Sequence, residues 1–317
     1  MSIKSAVFAE LEAHRGSELS GQSLATKLGV SRNAVWKAIN TLRDDGYEIE
    51  AGTNKGYKLL KVSDRLSAEE IKGLLRTKNV CVEVYTELDS TNLEAKRKLA
   101  QGLSGNTLIL AESQTDGRGR LGRSFYSPSS TGLYMSAVIH PHAGFSDAVS
   151  ITTATAVAVV RAIEKLTDIK PMIKWVNDIY VGDKKVCGIL TEAVTDFETA
   201  TVASVIVGIG INITTSFFPE YVADRAASLG SEILRNRLAA EIFDNLIELT
   251  DKLSFDSFIE EYREHSLVLG KPVEFTRNGI SQVGVATEIN NRGGLVVALP
   301  DDTSTVLDSG EISLRVR

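Results

Sequence analysis

Asp116-Gly117-Arg118-Gly119-Arg120-Leu121-Gly122-Arg123 joins three glycines to three arginines within eight residues, a composition that no regular helix or strand sustains. Glycine removes the Cβ atoms that block a close approach, and arginine brings a fixed charge with a planar fork of donors. The run predicts an irregular loop that wraps a phosphate or carboxylate; a solvated basic turn is the plainer reading of the same residues. A Walker loop or dinucleotide-binding turn is excluded, because the Gly-Lys-Ser/Thr ending and the strand, glycine loop, helix setting are both missing.

Outward from this loop, apolar stretches at Val80–Thr86, Thr107–Ala111, Leu133–Ile139, Lys185–Glu192 and Ala203–Ile209 read as strands. They alternate with helical patterns near 91–101 and 147–166, which predicts an α+β domain on a mixed sheet. From about Leu269 the pattern changes to short strands at Pro272–Thr276, Gly284–Ile289, Leu295–Ala298 and Ile312–Val316, with Asn291-Arg292-Gly293-Gly294 as a turn, consistent with a small β-barrel.

Toward the N-terminus, three short helical patterns follow one another, the second broken by Gly29-Val30. In the third, Ser31 is a natural N-cap, and Val35, Ala38, Ile39 and Leu42 recur at i, i+3, i+4, i+7. Arg32, Asn33, Trp36, Lys37 and Asn40 are left on other faces, and the segment from Tyr47 to Leu60 reads as two strands around a Gly/Asn turn. A helix-turn-helix with a wing follows, with Gln22, Ser31, Arg32, Asn33, Trp36, Lys37 and Asn40 as DNA contacts and Lys55 and Lys58 on neighbouring phosphates. A solvated helix face is the alternative. Ser67-Ala68-Glu69-Glu70 is a capping box, so the expected modules are 1–63, 64–268 and 269–317.

The chain has 317 residues and a net charge of −6, yet residues 1–62 hold nine Lys/Arg against seven Asp/Glu, so the two parts present different surfaces. The two cysteines, Cys81 and Cys187, lack metal-site spacing and fit a reducing cytoplasm. No run of 18 apolar residues exists for a membrane span. The four histidines include one close pair, His140 and His142, without a matching carboxylate or cysteine motif, so a structural metal is not expected.

Other polar constellations admit two readings each. Ser90-Thr91-Asn92 offers hydroxyls and an amide at a helix start, where Thr91 with Glu94 also forms a capping box. Gln114 precedes the Gly/Arg loop and suits a neutral polar ligand or plain surface. Lys174-Trp175-Val176-Asn177-Asp178 reads as a strand end presenting polar groups, or as a turn whose Asn-Asp satisfies the backbone. Lys184-Lys185 opens a strand, where an ammonium either meets an anion or guards solubility. Gly208-Ile209-Gly210-Ile211-Asn212 reads as a tight strand-end turn or as a place of close backbone approach.

Taken together, Ser90-Thr91-Asn92, Gln114, GRGRLGR at 117–123, KWVND at 174–178, KKVCGIL at 184–190 and GIGIN at 208–212 resemble the biotin–protein ligases, over nearly the whole chain. With the helix-turn-helix added, the resemblance is to the bifunctional ligase and biotin-operon repressor family. It implies a winged helix-turn-helix, a catalytic domain of the biotin/lipoate ligase type and an SH3-like barrel. The implied biotin contacts are Ser90, Thr91, Asn92, Gln114, Gly117, Arg118, Gly119, Arg120 and Lys185; the implied catalytic groups are Lys185, Arg118, Arg120 and Asp178. The implied ATP or adenylate contacts are Arg118, Arg120, Arg123, Phe125, Lys174, Trp175, Asn177 and Asn212, with Mg²⁺ near Asp178. A carboxyl-carrier domain, operator DNA and a second copy of the chain in the adenylate-bound state are the implied partners. A lipoate or octanoate ligase and a non-catalytic winged-helix sensor of a small acid are the rival readings. Two departures stand out: Val176 where the family usually has proline, and Phe125 where tryptophan is frequent.

Overall fold

The computed structural model describes residues 2–52, 56–61, 64–140, 148–195, 202–230, 233–251, 258–277, 280–308 and 315–316. The chain divides into two compact units, Met1–Leu74 and Leu75–Arg317.

The first unit contains α1 (Ile3–Ala13), α2 (Gly21–Leu28), α3 (Arg32–Asp44), a hairpin of β1 (Glu48–Gly52) and β2 (Gly56–Lys61), and α4 (Ala68–Leu74). The Ser31 hydroxyl accepts from the Ala34 amide at 3.1 Å and starts α3, while Gly29, at φ 65°, closes α2 in the left-handed conformation that glycine adopts without strain. Val35, Ala38, Ile39 and Leu42 are all buried, as their spacing predicts. Leu19 and Tyr57 exchange backbone bonds at 2.8 Å, which ties the entrance of α2 to the hairpin. The wing turn with Lys55 lies outside the described residues.

The second unit is built on a mixed sheet, seven-stranded among the described residues, in the order β3 (Cys81–Leu88), β4 (Thr107–Gln114), β5 (Gly132–Ile139), β9 (Val202–Asn212), β8 (Lys184–Thr195), β7 (Asp178–Val181), β6 (Met172–Lys174). Only the β3–β4 pair is parallel, and α5 (Thr91–Ala100) makes its crossover; every other pairing is antiparallel. Helix α5 sits on the sheet through Ala95, which packs with Ile109, Val138 and Ile206. Helices α6 (Ala148–Leu166) and α8 (Arg235–Asp251) pack together and reach β8 and β5 respectively. All eight residues of β5 are buried, as a strand covered on both faces requires. Short helices α7 (Glu220–Ala223) and α9 (Ile259–Glu264) complete this part, and no helix among the described residues is long and apolar enough to cross a membrane. An antiparallel sheet follows, ordered β13 (Ser304–Leu307), β12 (Leu295–Ala298), β11 (Ile280–Ile289), β10 (Pro272–Arg277), β14 (Arg315–Val316).

Two local readings are corrected. The GIGIN segment is no strand-end turn: β9 continues to Asn212, with Gly208 opposite Ser136 and Gly210 opposite both Tyr134 and Gly188. Thr91 and Glu94 form no capping box either. Ser90, not Thr91, is the N-cap of α5 and makes no side-chain cap bond, and the Thr91 hydroxyl meets Ser136 at 2.7 Å.

Arg235 is 2% exposed and donates to Glu112 on β4 at 2.6 Å, which ties α8 to the sheet. Glu112→Ala removes the carboxylate from a buried guanidinium and is expected to cost about 3–5 kcal/mol of stability, measured by urea unfolding.

Candidate active site

A cleft opens over the β8–β9 hairpin. Its floor is made of glycines on neighbouring strands. A Cβ on Gly208 would lie 2.3 Å from the Asn92 amide oxygen, one on Gly210 2.5 Å from the Phe125 ring, and one on Gly188 3.0 Å from the Lys185 ammonium. Only glycine leaves that room, so the alternate glycines of β9 serve packing on one strand face. This is the signal that the periodicity of Gly208 and Gly210 carried.

One wall is neutral and polar. Ser90, Thr91 and Asn92, all under 5% exposed, enter from the start of α5. The Thr91 amide donates to Gln114 Oε1 at 2.9 Å, Gln114 Nε2 donates to Ser127 at 2.9 Å, and the Ser127 hydroxyl donates to the Phe125 carbonyl at 3.0 Å. Ser127, absent from the sequence expectation, therefore links the end of β4 to the segment after the Gly/Arg loop. Phe125 also meets the ring of Tyr134 edge-on, with centroids 6.4 Å apart; burial raises the pKa of the Tyr134 phenol, which donates to the Pro128 carbonyl.

The opposite wall is cationic. In the Gly/Arg loop, Gly119 N–H donates to the Arg123 carbonyl at 2.7 Å and Phe125 N–H to the Gly117 carbonyl at 2.8 Å, so 117–125 forms a narrow closed loop. It contains a single 3-10 turn, Arg120–Gly122. Arg118 and Arg120 line the cleft; Arg118 pairs with Asp116 at 3.0 Å, and Arg120 donates to Asn177 Oδ1 at 2.8 Å. Burial lowers the pKa of Arg120, opposed by the charge of Asp178, but a guanidinium remains protonated. Lys185 contributes its ammonium from β8, paired with Asp178 at 2.7 Å.

Residues 175–177 form the turn between β6 and β7, so the turn reading of that segment holds and yet serves the cleft. The Trp175 indole donates to the Gly293 carbonyl at 2.8 Å, the Tyr262 hydroxyl to the Val176 carbonyl at 3.1 Å, and Asn177 Nδ2 to the Ile189 carbonyl at 2.8 Å. The turn is thus pinned on three sides.

The cleft lining includes Ser90, Thr91, Asn92, Gln114, Arg118, Gly119, Arg120, Phe125, Asn177 and Lys185 from the expected set. Gly117 and Asp178 stand behind it, through Phe125 and Lys185. Arg123, Lys174, Trp175 and Asn212 are not on the lining. Arg123 is exposed, the Lys174 ammonium lies over the Tyr180 ring, Trp175 is buried, and buried Asn212 donates to the Ala227 carbonyl. The residues missed from sequence are Ser127, Ser136 and Glu192, which bond to side chains of the lining, and Gly188 of the floor.

In the first unit, Gln22, Ser31, Arg32, Asn33, Trp36 and Lys37 are exposed and Asn40 half-buried, with Trp36 at 54%. A large exposed ring among polar side chains on α3 has no packing explanation within the unit.

Residues 85–212 match the biotin/lipoate A/B protein ligase family, 4–58 an HTH domain, and 268–315 the biotin protein ligase C-terminal domain. The chain belongs to the biotin/lipoate A/B protein ligase family. Its similarity extends to the full length of bifunctional ligase/repressors: 34% identity to that of Bacillus spizizenii over 95% of this chain and 93% of the relative, and 31% to that of Escherichia coli over 93% and 92%. Among solved structures, the biotin protein ligase of Aquifex aeolicus in complex with biotin and ATP superposes with a TM-score of 0.64 at 31% identity, covering 76% of this chain and 100% of that one.

Gly210→Ala drives a methyl into the Phe125 ring and is expected to cost about 1–3 kcal/mol in urea unfolding, a loss that Phe125→Leu relieves in the double variant.

Proposed function

We propose that the cleft joins biotin to ATP as biotinyl-5'-AMP and passes the biotinyl group to a lysine of a carboxyl-carrier domain. The observation that carries this reading is the division of one cleft into a neutral polar end, Ser90, Thr91, Asn92 and Gln114, and a cationic end, Arg118, Arg120 and Lys185. Biotin divides the same way, with an uncharged ureido ring at one end and a carboxylate at the other. The polar end also favours biotin over a lipoyl or octanoyl chain, whose far ends lack hydrogen-bonding groups.

In the first step the biotin carboxylate attacks the α-phosphate of ATP, a P–O bond forms, and pyrophosphate leaves. Two anions have to be held in contact. Arg118, Arg120 and Lys185 offset their repulsion with charges already fixed by Asp116, Asn177 and Asp178, so little reorganisation accompanies the reaction. In the second step the carrier amine attacks the anhydride carbonyl, an amide forms and AMP leaves. The Gly/Arg loop keeps water from the anhydride.

A magnesium ion that arrives with the nucleotide would find one carboxylate near the cleft, Asp178, which stands behind the lining and pairs with Lys185. Among the described residues no cluster of three His, Cys, Asp or Glu forms a protein cage, and magnesium usually takes one or two carboxylates besides phosphate oxygens. Asp178 would hold it, and the ion would neutralise phosphate charge. Phe125 and Asn177, on the lining, are assigned to the adenylate side; Trp175, Lys174 and Asn212 support it only from behind, and Arg123 lies off it. We read the modules as 1–63, 64–268 and 269–317, and the free thiols of Cys81 and Cys187 agree with a cytoplasmic protein.

The first unit adds repression. Helix α3 reads the major groove of an operator through Arg32, Asn33, Trp36, Lys37 and Asn40, with Ser31 and Gln22 on the backbone. Adenylate favours a homodimer that spans a two-fold site, and in this way the supply of biotin sets DNA affinity.

With Mg-ATP, labelled biotin and a carboxyl-carrier domain, the protein is expected to label the carrier; absence of label where a known ligase works overturns the assignment. Lys185→Ala is expected to slow adenylation by about 10²- to 10³-fold in a pyrophosphate-exchange assay. Sedimentation equilibrium is expected to shift toward dimer when biotin and ATP are added, and an unchanged distribution removes the proposed link between ligand and operator.

A further inference from the structure

Glu192 lies on β8, behind Asn92 as seen from the cleft. Asn92 Nδ2 donates to Glu192 Oε2 at 2.8 Å and Lys96 Nζ donates to Oε1 at 2.6 Å. On its other side, Asn92 Oδ1 is 2.6 Å from the hydroxyl of Ser136, which is fully buried, and that hydroxyl is 2.7 Å from Thr91 Oγ1.

The direction of this chain of bonds is decided by the carboxylate. An amide can present either its oxygen or its nitrogen to a neighbour, whereas an ionised carboxylate only accepts. Glu192 therefore holds the Asn92 nitrogen and turns the oxygen toward Ser136. A hydroxyl has one proton, and Asn92 Oδ1 has none to give, so the Ser136 proton goes to Asn92. The contact between Ser136 and Thr91 is then made with the Thr91 proton. The Thr91 hydroxyl gives its proton across the shorter contact, 2.7 Å to Ser136, and not across the 3.2 Å to Gln114 Oε1, which receives the Thr91 amide at 2.9 Å. Thr91 Oγ1 is left as an acceptor at the cleft wall, where a ureido N–H has to be received.

We propose that Glu192 is a positioning residue that sets the donor and acceptor polarity of the biotin pocket, acting through Asn92 and Ser136 on Thr91. The inference rests on the biotin reading above. A glutamine at 192 supplies either an oxygen or a nitrogen to Asn92, so only the longer bond from Asn92 Nδ2 to the Leu190 carbonyl, 3.4 Å, still orients the amide, and Ser136 and Thr91 are less firmly directed. Lys96 is 43% exposed and holds the far carboxylate oxygen; without it the carboxylate still accepts from Asn92.

The test measures biotin binding calorimetrically in the absence of ATP and steady-state adenylation with pyrophosphate release. Glu192→Gln is expected to raise both the Kd and the KM for biotin about tenfold, the scale of one buried hydrogen bond. The kcat and the KM for ATP stay near wild type, and Glu192→Asp recovers part of the loss. Lys96→Gln changes the KM for biotin no more than about twofold, as for an exposed ion pair. In an Asn92→Ala background, Glu192→Gln adds no further loss. The proposal is overturned if Glu192→Gln leaves biotin binding unchanged, if Lys96→Gln weakens it equally, or if the two losses at 92 and 192 simply add. Wild-type protein that binds no biotin at all would instead remove the ligase reading, which keeps the two failures apart.

Discussion

Two cations from distant parts of the chain share one cleft because adjacent residues, the last of the 175–177 turn and the first of β7, hold them. Asn177 receives Arg120 at 2.8 Å and Asp178 pairs with Lys185 at 2.7 Å. Like charges repel more strongly as water is excluded, and a flexible arginine or lysine would otherwise turn outward to solvent. The turn converts two mobile side chains into a fixed field. Its own position rests on bonds from three separate segments: Tyr262 to the Val176 carbonyl, Asn177 to the Ile189 carbonyl, and Trp175 to Gly293 in the C-terminal sheet region. The C-terminal part of the chain thus bears directly on the chemistry, through one indole hydrogen bond.

The neutral end of the cleft follows a different physical rule. There the concern is which way each bond points, and buried hydroxyls and amides settle it jointly. Thr91, Gln114, Ser127 and the Phe125 carbonyl form one run of bonds, while Asn92, Ser136 and Glu192 form another beside it. The glycines at 188, 208 and 210 lower the floor so that Asn92, Phe125 and Lys185 can lie against the strands. A polar pocket and a cationic mouth are therefore assembled on the same hairpin, within reach of a single elongated acid.

Much of this was legible in the residues. The spacing of Val35, Ala38, Ile39 and Leu42 gave the buried face of α3, and the Ser31 cap gave its start, because helix periodicity and capping are local. Most strands of the large sheet were visible as apolar runs, whereas β6 and β7, three and four residues long, were marked only by the strand-end reading of 174–178. Helix α8 was not read from the sequence; its Arg235, Asn236, Asp244 and Asn245 are buried along with its apolar residues. Of the two readings of the GIGIN segment, the turn fails because β9 continues through it, and close approach holds, since Asn92 and Phe125 fill the space above the glycines.

The sequence by itself determined the local elements and, through the resemblance of GRGRLGR, KWVND and KKVCGIL to known motifs, most of the polar side chains that line the cleft. Those signals are short-range or recur as fixed strings. Tertiary structure alone decided what each of them does there: that Arg120 is held by Asn177, that Trp175 faces the C-terminal region and not the cleft, and that Ser127, Ser136 and Glu192 belong to the site. A hydrogen bond between residues about a hundred positions apart, as between Asn92 and Glu192, leaves no pattern along the chain, because its geometry exists only once the sheet has closed.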